Sequence, residues 1–173
     1  MDLNRVYEYL LASRERVFDA VRPLTAEEWA RAFPFGLTSI AATLTHLLTS
    51  EWYYVERIMG HDVPPYETWP IKEEQPPPFS VVESTWRTQG ARVKEFVAGE
   101  RQWTRPVTWL GFPDGEGRRF QITTTAEECF LQLALHESHH RAQAMAMLRG
   151  VGRPLEDIDF NAEDFVARVN SDL

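Results

Sequence analysis

One cysteine and a shortage of basic residues exclude several classes of protein. Cys129 is the single cysteine of the chain, so no intrachain disulfide can form, and a reducing compartment fits this composition. Lys and Arg number 18 against 26 Asp and Glu, which gives a net charge of -8. Because such a surface offers no basic patch for phosphates, we expect neither a nucleic acid nor a membrane as partner.

Long apolar runs are also missing. No segment approaches the roughly 18 apolar residues that cross a bilayer, and the first residues lack the basic and apolar regions of a secretion signal. We therefore expect a cytoplasmic protein. The length of 173 residues, with 43% hydrophobic residues and no internal repeat, predicts a single domain over residues 1–173.

Hydrophobic periodicity predicts four long helices. Apolar residues three and four positions apart define the first over 3–21, the second over 40–58 and the third over 82–96. The fourth is expected to begin at Thr124-Thr125 and to continue to Arg149. Capping boxes, in which a Ser or Thr is followed three residues later by Glu, predict the first residues of two helical segments. These are Thr25 to Glu28, for a short helical turn, and Ser80 to Glu83, for the third long helix.

The segment from Gly60 to Phe79 carries Pro64-Pro65, Pro70 and Pro76-Pro77-Pro78. It can be neither helix nor central strand, and an extended course of about 3.1 Å per residue is long enough to pass along a whole helix. We predict a crossover that lets the second and third long helices lie parallel. A disordered linker between two domains is the weaker alternative, because neither half has a complete core of its own.

Two smaller elements complete the predicted architecture. Alternating apolar and polar residues at 107–110 and 120–123 flank a Gly-rich turn and predict a small β-hairpin between the third and fourth long helices. Residues 155–173 are acidic with a few apolar positions, and we expect them to pack on the bundle as a short terminal helix.

The segment His136-Glu137-Ser138-His139-His140 concentrates metal-binding side chains in the fourth helix. Residues four apart lie on one face of a helix, so the imidazoles of His136 and His140 can converge on one ion. The same residues match H-E-x-x-H, the pattern of zinc proteases in which the glutamate is the general base. Two interpretations, a histidine metal site in a bundle and a zinc peptidase, therefore compete.

A third ligand would complete an open metal site of the kind that catalytic zinc centres have. His46, in the middle of the second helix, is the natural candidate. His139 can replace His140, because residues three apart also share a face, although the stacking of His136 with His140 is favoured. Glu163 is the remaining third ligand for a peptidase. The peptidase interpretation is disfavoured because zinc peptidases place a β-sheet upstream to bind the peptide, and this chain is mostly helical there.

Other side chains near the histidines have weaker claims to a role. Glu137 and Tyr53 are catalytic candidates, but we expect Glu137 to face solvent or to pair with Arg141, four residues further on. Tyr53 can line a pocket or supply a proton. Cys129 lies on the same helical stripe as His136, and a buried, inert thiol is the favoured interpretation of it.

Taken in order along the chain, these motifs resemble the DinB-like superfamily of four-helix bundles, which includes YfiT-type proteins. The resemblance rests on residues 24–29 (LTAEEW), 39–47 (SIAATLTHL) and 136–143 (HESHHRAQ), with Asp159-Phe160 in the tail. It implies an all-α bundle of up-down-down-up topology and a tendency to form a homodimer. It also implies a divalent metal held by His46, His136 and His140.

Some members of this superfamily use the metal to activate a low-molecular-weight thiol such as bacillithiol, mycothiol or glutathione, and many others have no assigned reaction. Our hypothesis from the sequence is a metal-dependent thiol S-transferase or hydrolase acting on a small electrophilic substrate. Imidazole ligands suit zinc, nickel or iron. The alternatives are a noncatalytic, metal-stabilised stress-response or binding module and, further behind, the zinc peptidase.

Overall fold

Five helices and one hairpin build the part of the chain that the computed structural model describes, residues 2–111 and 113–160. The helices are α1 (Leu3–Val21), α2 (Ala26–Ala30), α3 (Ile40–Met59), α4 (Phe79–Gly99) and α5 (Ala126–Gly150). The strands are β1 (Pro106–Leu110) and β2 (Gln121–Thr125). The mostly helical fold is confirmed, with α1, α3, α4 and α5 as the four long helices, while their up-down-down-up arrangement stays a prediction. No helix within these ranges is long and apolar enough to cross a membrane.

Local sequence signals explain most of the helix ends. Thr25 and Thr125 each cap a helix through a capping box, with Glu28 and Glu128 as the reciprocal partners. Gly60 ends α3 in the left-handed conformation, with φ of 80°, which a residue with a side chain rarely adopts.

The predicted capping box at Ser80 is wrong. Helix α4 begins at Phe79, its N-cap is Pro78, and no side chain caps it. The Phe79 ring packs edge-on against Phe18 and Trp29, with ring centroids 5.3 and 5.5 Å apart. Burial of this ring therefore extends the helix past the position that local hydrogen bonding favours.

The hairpin and the absence of α-helix and strand from residues 61–78 agree with the prediction, while the parallel arrangement of α3 and α4 stays a prediction. Strands β1 and β2 pair antiparallel, from Pro106 opposite Thr125 to Leu110 opposite Gln121. Residues 61–78, here called the crossover, contain one short 3-10 turn at Tyr66–Thr68 and no α-helix or strand. Residues 152–160 continue without regular helix or strand, and the predicted terminal helix falls mainly on residues 161–173, outside the described ranges.

A polar layer divides the interior into two apolar clusters. On α1 the residues of one cluster end at Leu10 and those of the other begin at Val17, with Arg14 between them. Along α3, α4 and α5, too, the buried apolar residues pass from one cluster to the other, and a polar residue lies at the boundary. The polar layer consists of Arg14, Glu51, Gln89 and Glu137, one residue from each long helix.

Arg14 is the centre of the polar layer. Its Nη2 forms ion pairs with Glu51 and, at 2.6 Å, with Glu137, and all three side chains are almost completely buried. Gln89 Nε2 donates to Glu51 Oε1 at 2.9 Å, and the Arg14 guanidinium lies 4.3 Å from the Trp86 ring centre. One buried cation thus connects α1 with both α3 and α5.

The expectation that Glu137 faces solvent or pairs with Arg141 is wrong. Glu137 is 3% exposed and its carboxylate is bonded to Arg14, because the helix turns it away from the side that carries the histidines. Burial raises the pKa of this carboxyl, and the Arg14 charge opposes that rise. Arg141 is also buried, and it donates to Tyr9 Oη at 2.7 Å.

Replacing Arg14 by Met should destabilise the protein by about 3–5 kcal/mol, because two buried carboxylates lose their common partner. Urea unfolding of the metal-free chain measures this. Arg119→Met, at an exposed position of the hairpin loop, is the control and should change the free energy of unfolding by less than about 0.5 kcal/mol. Combining Arg14→Met with Glu51→Leu and Glu137→Met should restore most of the loss. A single Arg14→Met variant as stable as wild type would contradict the role given to this residue.

Candidate metal centre

Three histidines meet between α3 and α5. One ligand nitrogen from each of His46, His136 and His140 can be chosen so that all three lie within 4.8 Å of one another. His46 Nε2 is 3.1 Å from His136 Nε2. A tetrahedral zinc ion with Zn–N bonds of about 2.1 Å holds its nitrogens about 3.4 Å apart. Small rotations of the rings would therefore close the group around an ion, and the three residues can hold a divalent metal.

The remaining ring nitrogens of two histidines have acceptors. His46 Nδ1–H donates to Glu73 Oε2, and His140 Nδ1–H donates to Gln143 Oε1 at 2.8 Å. A proton fixed on Nδ1 leaves the lone pair of Nε2 free for a metal, which is how buried metal sites commonly orient imidazoles. His136 Nδ1 is buried and has no hydrogen-bond partner within the described ranges.

Burial and mutual repulsion favour the neutral form of two of these histidines, His136 and His140. Burial lowers the pKa of His136 to about 4, and the neighbouring imidazoles His140 and His46 add to the effect. Burial also lowers the pKa of His140. Neutral imidazole is the form that binds metal, so at pH 7 these two ligands need lose no proton before binding.

A cavity of about 490 Å³ opens on two of the histidines, His46 and His136. Its walls include His46 and His136, the aromatic residues Tyr53 and Trp69, and the carboxylate of Glu73. The hairpin contributes further wall residues, among them Trp109. The volume suits a small organic molecule, which could lie beside the three-histidine group.

The other candidates from the sequence are placed as follows. Tyr53 lines the cavity, whereas Glu137 does not. His139 is exposed and lies outside the three-histidine group, with its Nε2 3.0 Å from Gln143 Nε2. Cys129 is buried in an apolar cluster, and burial raises the pKa of its thiol to about 12, which makes it a poor nucleophile. Glu163 lies outside the described residues.

Sequence reasoning missed Glu73 and Arg14. Glu73 stands in the crossover, and an extended segment has no periodicity that would show which helix one of its side chains reaches. Arg14 lies between Ser13 and Val17, close to the predicted apolar stripe of α1. This position on the helix could have indicated that Arg14 is buried.

Comparisons with known proteins agree with this architecture. A family model described as the DinB family matches residues 1–170. A solved structure of a DinB-like protein from Bacillus cereus is similar with a TM-score of 0.59 at 15% sequence identity, over 86% of this chain and 94% of that chain. No curated protein matches the sequence. The structural likeness shows a shared fold, and the family match spans nearly the whole sequence. The chain belongs to the DinB family.

Proposed function

We propose that this DinB-family protein is a metal-dependent enzyme that transfers a small thiol, or water, to an electrophilic substrate. The observation that carries the proposal is the convergence of three imidazoles, whose ligand nitrogens lie within 4.8 Å of one another, beside a substrate-sized cavity that two of them, His46 and His136, line. Three protein ligands leave room for a further ligand, which is the arrangement of catalytic rather than structural sites. A divalent ion held there lowers the pKa of a coordinated thiol or water and so supplies a nucleophile at neutral pH.

The chain's own residues would divide the remaining tasks. Glu73 and Gln143 hold the Nδ1 protons of His46 and His140, which keeps both rings turned toward the ion. Aromatic rings, Tyr53 among them, form much of the wall against which an apolar part of the substrate can pack. Ser50 Oγ, 3.5 Å from His46 Nε2, can accept a hydrogen bond from a bound thiol or water.

The peptidase alternative has little support in this geometry. A zinc peptidase needs the carboxylate after the first histidine beside the metal-bound water. Here the Glu137 carboxylate accepts hydrogen bonds from Arg14 in the polar layer. The noncatalytic binding module remains the second candidate, because a metal group of this kind can also serve only to stabilise the bundle.

The first prediction for this function concerns metal content. Protein reconstituted with zinc, nickel or iron(II) and then dialysed should retain about one ion per chain by elemental analysis. His46→Ala should abolish that retention, because two ligands on one helix turn do not close the site. His61→Ala is the control, since His61 is an exposed histidine that pairs with Glu56. A metal-free wild type after reconstitution would remove the basis of the proposal.

The second prediction tests the support of His46. Glu73→Ala should weaken zinc affinity by about 10- to 100-fold, because the Nδ1–H of His46 loses its acceptor. Glu73→Gln keeps an acceptor oxygen and should recover part of the affinity. The control Glu67→Gln, at an exposed position of the same crossover, should leave the affinity unchanged. Equal affinities for Glu73→Ala and wild type in calorimetric titration would show that Glu73 does not orient the ligand.

The third prediction concerns turnover. Zinc- or nickel-loaded protein should conjugate at least one of glutathione, bacillithiol and mycothiol with 1-chloro-2,4-dinitrobenzene. Sulfur bonds to the ring carbon, chloride leaves, and the thiol proton passes to solvent. His140→Ala should lose this activity while keeping its helical circular dichroism. Metal-loaded protein that neither consumes a thiol nor hydrolyses test esters would favour the noncatalytic module.

A further inference from the structure

The cavity beside the histidines has an unusual balance of charge and aromatic surface. Among the described residues that line it, two are glutamates, Glu73 and Glu74, and none is Lys or Arg. Several aromatic rings share the walls: Tyr53, Tyr54, Tyr66, Trp69 and Trp109. Carboxylates together with ring faces are the groups that bind organic cations.

Tyr66 and Glu74 form a hydrogen-bonded pair on the crossover. Tyr66 Oη donates to Glu74 Oε2 at 2.7 Å. This bond lowers the pKa of Glu74, so the carboxylate is charged at neutral pH. A phenol that donates to an anion becomes richer in electron density, and its ring face then attracts a cation more strongly.

Trp69 and Tyr66 pack edge to face and form one corner of the cavity wall, where Trp69 is 7% exposed. Their ring centroids are 4.9 Å apart and the ring planes meet at 63°. The Trp69 indole is fixed from behind, because its Nε1–H donates to the Pro64 carbonyl at 2.9 Å and its ring packs against Trp52. A fixed corner of two rings needs no reordering when a ligand enters, which favours binding.

We propose that the Tyr66–Trp69 corner and the Glu74 carboxylate bind an organic ammonium group carried by the substrate. The inference rests on the proposed function only in treating the cavity as the substrate site. It narrows the substrate class to small amines or quaternary ammonium compounds. The rings surround the alkyl groups of the cation, and Glu74 supplies the opposite charge.

Neighbouring arginines do not reverse this preference. Arg57 and Arg119 line an adjoining cavity of about 180 Å³, which also borders Tyr53 and Tyr66. The Arg57 guanidinium lies 5.2 Å from the Tyr53 ring centre, so this aromatic wall already holds one cation on its outer side. The two glutamates are the charged residues that face the larger cavity, apart from the histidines.

A pair of isosteric probes tests the proposal. Choline and 3,3-dimethylbutan-1-ol have nearly the same shape, but only choline carries a charge. Both are titrated into the full chain, metal-free and zinc-loaded, with tryptophan fluorescence and calorimetry as readouts. Choline should bind at least about fivefold more tightly than the alcohol to both forms, as a cation–π contact predicts.

Substitutions test whether the preference for choline arises from the Tyr66–Trp69 corner and Glu74. Glu74→Gln should reduce choline affinity about fivefold and leave the alcohol unaffected, because only the charge is removed. Trp69→Leu should weaken choline binding further. Glu67→Gln is the matched control and should bind choline as wild type does. If Trp69→Leu fails to fold, Glu74→Gln still tests the proposal, because Glu74 is exposed and its substitution should not prevent folding.

The outcomes separate this inference from the proposed function. Equal affinity for both probes, no binding of either at millimolar concentration, or wild-type choline affinity in Glu74→Gln would overturn the ammonium site. None of these results depends on metal, because the metal-free arm stands alone. A protein that binds choline but retains no metal would overturn the proposed enzyme and leave the ammonium site in place.

Discussion

The ion pairs of Arg14 hold together the two helices that carry the three clustered histidines. Glu137 is the direct neighbour of His136 on α5, and Glu51 follows His46 by five residues on α3. Without the guanidinium the two carboxylates would repel each other in a medium of low dielectric constant. The relative position of the histidines therefore depends on a charge that does not touch them. Replacing a whole buried ion pair by apolar residues often leaves net stability unchanged, whereas removing one partner alone is costly.

Two kinds of structure supply the candidate centre. The helices position His46, His136 and His140 through backbone hydrogen bonds and apolar packing on both sides of the polar layer. The crossover adds Glu73 behind His46 and builds much of the cavity wall from an extended chain. Glu73 serves both the candidate centre and the cavity, because it lines the cavity and also bonds to His46, whereas the other cavity residues of the crossover contact none of the three histidines through a hydrogen bond within the described ranges.

The features that could be predicted from the sequence are those that depend on local hydrophobic periodicity and on residues that begin or end helices. The four long helices, the hairpin, the Thr25 cap and the stop at Gly60 all follow from short-range rules, and the structure agrees with them. His46 and the pair His136 and His140 were found because few residue types bind metal and helical spacing places them on defined faces. The orientation of Glu137 was predicted wrongly, because its ion pair with Arg14 joins residues far apart in the sequence and the helical pattern of α5 alone does not reveal it. Glu73 was missed for the related reason that long-range contacts of an extended segment leave no local signal.

The crossover has a consequence for how this fold can diversify. Tyr66, Trp69, Glu73 and Glu74 all reach the cavity from a segment that has no α-helix or strand. Trp69 and Tyr66 also pack in one apolar cluster, whereas Glu74 is exposed. Substitutions at exposed positions of this segment can change the charge of the cavity while the helices keep their sequence and packing. The helices thus form a constant frame for the three histidines, and substitutions within a stretch of fewer than twenty residues can adapt the cavity to a new ligand.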